Sequence, residues 1–224
     1  MTSFSTAYRV LSPADVLGGK TVTVFPDASG DLQARAGAAG TPLSVFVEQL
    51  DGLSAHLRVF TPTRDKGESD SAALAALSWL FGQGQIADVA SVWMKGQEVP
   101  AQLCGGEWLL LQGDVSMKAV PDEDFSSLGF TPSSVQIAQT QRPNLLLQIG
   151  SLAELDALQL DMDAVREVGE RTGTTGLVVY TLDAGRADVA FRAFGPLRGF
   201  DEDAASSNMF ACLVGALSVR RALP

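Results

Sequence analysis

Two stretches of this chain carry the same spaced pattern. Arg58, Phe60, Pro62 and Arg64 recur as Arg192, Phe194, Pro196 and Arg198, every pair 134 positions apart (192 − 58, and likewise for the rest). An acid and then an apolar run follow each copy. The first run begins near Ser71 and extends to Phe81; the second follows Ser206 and Ser207 through Met209, Phe210, Ala211, Cys212, Leu213 and Val214. Neither run has a polar face, and a helix that is apolar all round has to be buried. Similarity at one fixed long offset points to two similar units. The expected fold is therefore α+β, with two pseudo-symmetric lobes, each a sheet or barrel wrapped around a central buried helix. Residues 120–130 are polar and irregular, which sets the lobes at 1–118 and 119–224, with the boundary near Lys118. Continued without a gap, the repeat sets Glu68 against Glu202.

The segments between supply the sheets. Tyr8–Leu11 reads as an opening strand ended by Ser12 and Pro13, and Gly18-Gly19 turns the chain into the β-branched strand Thr21–Phe25. Leu32–Ala39 is a short helix stopped by Gly40. Leu43–Leu50 and His56–Phe60 pair as a hairpin around Asp51-Gly52. From Val89 to Met117, short strands separated by glycines form a meander. Val135–Gln139 and Asn144–Ile149 open the second lobe. A helix with the Ser151/Glu154 capping box follows, then another over Asp163–Arg171 and a buried strand over Leu177–Leu182. Val189–Phe194 alternates, with Phe191 and Ala193 on one face and Arg192 and Phe194 on the other.

Helix N-termini attract anions through their free N–H groups and the macrodipole. If the two apolar helices point their N-termini at one cleft, a small carboxylate is the ligand expected there. Charge excludes other partners. A net charge of −10 and a pI near 4.5 argue against nucleic acid and against anionic membrane surfaces. No apolar run approaches the ~20 residues that span a bilayer. MTSFSTAYRVL lacks the basic start and apolar block of a secretory signal, so the cytoplasm is the expected location. Cys104 and Cys212 are too few for a disulfide scaffold and lack metal-ligand spacing, so no metal site is expected.

The same residues carry a family resemblance. GFDEDAASSNMFACLVGAL resembles the glycine-acid-Asp-Pro-Ala-Thr-Gly-Ser signature of PhzF-like proteins, the phenazine-biosynthesis isomerases. RVFTPTRDKGESDSAALA is similar to that family's Phe-Thr-Pro stretch and Gly-His-Ala-Thr helix start, and LGGKTVTVFPDASGDL to its early strand and aspartate turn. With RPNLLLQIGSLAELDAL the resemblance covers most of the chain. It implies the diaminopimelate-epimerase-like fold, an active site between two lobes and no organic cofactor.

The resemblance also implies site residues. The family aspartate is kept as Asp203, and Ser206, Ser207 and Asn208 stand at the end of that signature. In the first lobe the matching positions are Asp65, Asp70, Ser71 and Ala72. Counting back from Phe46, the family's acid–base glutamate falls on Leu43, and its histidine falls on Ser71. Catalysis is therefore assigned to Asp203 with Asp70 and Asp65, and binding to Ser71, Ala72, Ser206, Ser207 and Asn208. No cysteine stands at either helix start, which excludes a two-thiol mechanism. The function expected is a cofactor-independent isomerase or epimerase of a small organic carboxylate, with altered or lost catalytic residues. The second reading is a catalytically inactive relative that binds a metabolite or serves as a dimeric structural protein, a homodimer. Acids at helix starts also have a plainer role, since they stabilise free N–H groups by about 0.3–1 kcal/mol each.

Overall fold

The structure is a computed structural model that describes residues 5–11, 19–122, 124–185, 187–203 and 206–219. Ser12, Pro13 and Gly18, which the sequence reading placed around the first turn, lie outside the described residues. The chain forms two compact units that divide between Leu111 and Gln112. The division precedes the expected Lys118 because Ser116–Lys118 pairs with a strand of the second unit, Met117 opposite Ala138.

In the first unit seven strands lie side by side in sequence order. They are β1 (Thr6–Val10), β2 (Lys20–Phe25), β3 (Leu43–Leu50), β4 (Ser54–Phe60), β5 (Val89–Met94), β6 (Gln97–Cys104) and β7 (Glu107–Leu110). Two neighbouring pairs, β2–β3 and β4–β5, are parallel, and parallel neighbours need crossovers. Helices α1 (Leu32–Ala39) and α2 (Asp70–Gly82) supply them. Asp31 caps α1 by accepting the Ala34 amide, and Gly40 ends it in the left-handed region at φ 66°. Helix α2 packs against β1, β2 and β3 and also against β7, at the other edge of the sheet. The sheet therefore curls round it as a half-barrel. The alanines of α2 make this close approach workable: Ala72, Ala73, Ala76, Leu77 and Leu80 are buried among Val22, Val24, Val45, Val59 and Val92. On the outer face α1 sets Ala36 against Phe25, Phe46 and Phe60.

The second unit has six strands, β8 (Ser116–Lys118), β9 (Ser134–Gln139), β10 (Pro143–Gln148), β11 (Gly176–Thr181), β12 (Ala190–Gly195) and β13 (Phe200–Glu202), in the order β13-β12-β11-β10-β9-β8. The parallel pair β10–β11 is bridged by α3 (Leu152–Ala157) and α4 (Met162–Thr172). Central strands buried on both faces read as continuous apolar runs, and LLL in β10 is one. Leu145 and Leu147 face α3 and α4, whereas Leu146, Val178, Tyr180 and Ala193 face the last helix, α5 (Ser207–Val219). The Ser151 hydroxyl accepts the Glu154 amide as expected, but the Glu154 carboxylate takes the Gly150 amide rather than that of the cap itself.

Helix α5 departs from the all-round burial expected of it. Met209, Cys212, Leu213, Ala216 and Leu217 are buried, a stripe at the period of one helix face. Phe210 is 44% exposed and Val219 68% exposed. Strands β5–β7 follow α2 and close round it, whereas no strand follows α5 among the described residues. Phe210 stacks instead on Phe191, with 5.5 Å between ring centroids.

The repeated pattern has a shared geometry with one correction. Arg58 lies over the Phe60 ring and pairs with Asp65; Arg192 lies over the Phe194 ring and pairs with Glu202. Phe60 bridges to Asp65, and Phe194 to Glu202. The Val59 carbonyl accepts amides from Lys66 and Gly67, and the Ala193 carbonyl accepts that of Asp203. The partner of Glu202 is thus Asp65 rather than Glu68. The offset is 134 along the strand and 137 beyond it (202 − 65), because the second copy inserts the 3-10 turn Pro196–Arg198. Helix starts follow the longer offset: Ser69 is the N-cap of α2, and the Ser206 carbonyl accepts the first α5 amide bond, from Phe210.

Candidate functional site

The most developed polar cluster of the second unit lies beneath the first turn of α5. Asn144, at the start of β10, is fully buried. Its Nδ2 lies 3.0 Å from the Arg142 carbonyl, 3.1 Å from Asn208 Oδ1 and 3.1 Å from Cys212 Sγ, so two hydrogens serve three acceptors. Its Oδ1 accepts from Arg198 Nη2 at 2.5 Å. Arg198 also donates from Nε and Nη2 to Thr175 Oγ1, at 3.1 and 2.9 Å. Asn208 completes the chain by donating to Thr140 Oγ1. Asn208 and Cys212 are one helical turn apart, which presents both to Asn144.

Each element contributes for a local reason. The 3-10 turn after β12 carries Arg198 back towards β10 and β11. Gly176 opens β11 opposite Asn144, and a Cβ there would lie 2.5 Å from Asn144 Oδ1 and 2.3 Å from Met209 Cε. Only glycine leaves room for this junction. Burial pushes the Arg198 guanidinium down to about 10, and the nearby Arg142 charge adds to the fall; Cys212 and Asp203 act in the opposite direction. Arg198 remains a cation at neutral pH.

Among the residues the sequence singled out, Asn208 belongs to this cluster, while Ser206 and Ser207 stand just before it at the start of α5. The Asp203 amide is held by the Ala193 carbonyl, and its charge reaches Arg198. In the first unit the positions are more committed. Asp65 pairs with Arg58 at 3.0 Å and accepts the Gly67 amide at 2.8 Å, the contacts of a turn anchor. Asp70 is the first residue of α2, half-buried, and Ser71 and Ala72 behind it are buried in its first turn. Leu43 is buried in the core around α2. Glu48, on the same strand, is exposed at a bulge and lies 3.8 Å from Arg58.

Sequence reasoning missed Asn144, Thr140 and Thr175 as site residues and took Arg198 only as part of the repeat. One signal was available: a polar residue, Asn144, opens an otherwise apolar buried strand, and such residues need hydrogen-bond partners. No group of three or more metal-ligating side chains occurs among the described residues.

No known family pattern matches the sequence, and no curated protein matches it. Solved structures do. A phenazine biosynthesis protein of the PhzF family from Bacillus anthracis superposes with a TM-score of 0.81 at 13% identity, over 97% of this chain and 81% of that one. The fold is PhzF-like. A PhzC/PhzF protein from Clostridium difficile gives 0.75 at 17% identity, over 98% and 82% of the two chains. A predicted epimerase from Pseudomonas aeruginosa gives 0.66 at 21%, over 92% and 78%. The PhzF-like fold accounts for two curled mixed sheets with a helix against each.

Proposed function

We propose that this chain is a cofactor-independent isomerase or epimerase of a small organic carboxylate, with Asp203 as its acid–base group. The observation that carries the reading is the position of Asp203 beside Arg198 and the first turn of α5, within a PhzF-like fold. Amides at the start of α5 and the Arg198 guanidinium favour a carboxylate, and a bound carboxylate acidifies no proton by itself. Asp203 is therefore the group assigned to move the proton. The test is exchange of the Cα proton in heavy water over a panel of small 2-amino and 2-hydroxy carboxylates, followed by NMR. Exchange should fall by roughly 10²–10⁴ in Asp203→Asn, the usual contribution of a general acid–base group. A wild-type rate untouched by that change removes Asp203 from the mechanism.

The second reading, an inactive relative that binds a metabolite or forms a homodimer, is favoured by the first unit. Leu43 offers no proton, and Asp65 is already engaged with Arg58. It predicts carboxylate binding without any exchange. A cytoplasmic location belongs to this proposal and is checked by fractionation. Internal duplication belongs to it as well, supported by the matched Arg58–Asp65 and Arg192–Glu202 pairs. An experimental structure in which overlaying β4 on β12 fails to bring Phe60 onto Phe194 would remove it.

A further inference from the structure

We infer that Arg198 is the carboxylate anchor of the second unit, held by Asn144 and Thr175 so that its unused guanidinium edge receives the ligand. The inference rests on the small-carboxylate reading above and names the residue that confers it. Three hydrogen bonds fix the Nε and Nη2 edge, and Nη1 has no partner among the described residues. Among the described residues no carboxylate stands within ion-pair distance of Arg198, whereas Arg58 pairs with Asp65 and Glu48 and Arg192 with Glu202. Arg198 is half-buried with a second positive charge, Arg142, nearby and Asp203 offsetting part of it, so an anion at the guanidinium would further reduce the cost of burying this cation. With Nε and both Nη2 hydrogens already donated, the two Nη1 hydrogens are the ones left to meet a carboxylate oxygen in a charge-assisted bond.

The surroundings are built for this rather than incidental. Asn144 is fully buried, and its Oδ1 is aimed at Arg198 by Nδ2 bonds to the Arg142 carbonyl and Asn208. A Cβ at Gly176 would strike Asn144 and come within 3.1 Å of Arg198 Nη2, so the strand is kept bare where the guanidinium lies. Three separate elements, β10, the start of β11 and the turn after β12, are thus spent on orienting one side chain.

The probe is succinate, titrated into the full chain by calorimetry, with acetate as the single-charge comparison. Wild type should bind succinate, and Arg198→Gln should weaken binding by about tenfold or more, as loss of a charge-assisted pair requires. Arg198→Lys should recover only part of it, and Arg166→Gln, on the exposed side of α4, should bind as wild type. Since Arg198→Gln removes bonds to Asn144, a second measurement uses the unmodified protein. Succinate should slow phenylglyoxal labelling of Arg198, read by peptide mass mapping, while exposed Arg64 labels at its usual rate. Unchanged affinity in Arg198→Gln together with unprotected labelling overturns the inference. Its failure is separable from that of the proposed function. Proton exchange that survives Arg198→Gln leaves an isomerase with another anchor, whereas Arg198-dependent binding without exchange leaves the anchor and removes the isomerase.

Discussion

Leu43 and Glu202 show how much a residue's surroundings decide. Leu43 stands where the resemblance puts an acid–base glutamate, yet it is packed in the core against α2. Leu43→Glu would bury an unpaired carboxylate, and an uncompensated buried charge costs about 3–5 kcal/mol. The expected outcome, read by thermal unfolding, is a strongly destabilised protein rather than a gain of activity, even when Ser71→His is added. Glu202 is the opposite case, since its carboxylate is already paired. Two bonds from Arg192, both 2.8 Å, hold it below the usual glutamate range, while partial burial acts the other way. A group whose folded-state pKa is depressed stabilises the fold above its unfolded pKa and loses that contribution as pH falls through the folded value. Unfolding temperature should therefore drop less steeply on acidification in Glu202→Gln than in wild type, from about pH 4.5 downwards. The difference at neutral pH should be about 1 kcal/mol or less, because the pair is substantially exposed.

Among the elements, β11 and α5 approach each other closely at Gly176, where a Cβ would lie 2.3 Å from Met209 Cε. Gly176→Ala places a methyl against Met209 and Asn144 Oδ1, and overpacking of this kind costs about 1–3 kcal/mol. Unfolding temperature should fall, and succinate affinity should fall with it. The α3 cap gives a milder case. Ser151→Ala removes the bond to the Glu154 amide and should cost about 0.5–2 kcal/mol by denaturant titration. Helix existence and type were legible because caps, glycines and periodicity are local. The exposure of Phe210 was not, because a helix composed only of apolar residues carries no mark of which face its sheet will cover.

For the whole molecule, each apolar cluster is confined to one unit: those around α2 and α1 lie before Leu111, and those around α5 and α4 lie after Gln112. Leu77 is fully buried in the first and Leu146 in the second. Truncating either to alanine should cost about 2–5 kcal/mol locally. Calorimetry should show Leu77→Ala lowering one part of the unfolding endotherm and Leu146→Ala the other. A single peak shifted equally by both would mean that the units unfold as one.

The sequence by itself determined the α+β class, the two-unit plan and most strand and helix positions, because apolar periodicity and turn chemistry act over a few residues. It also marked the Arg–Phe–Pro–Arg strands, which carry the same ion pair in both units. Only the tertiary structure decided that Asp65, rather than Glu68, matches Glu202. A three-residue turn shifts the register, and nothing in the local pattern announces the shift. Only tertiary structure could bring Asn144, Thr175, Arg198 and Asn208 together, since they are brought into contact by strand pairing and by the packing of α5 on the sheet. The burial that tunes Arg198 is a property of that assembly and of no single residue in it.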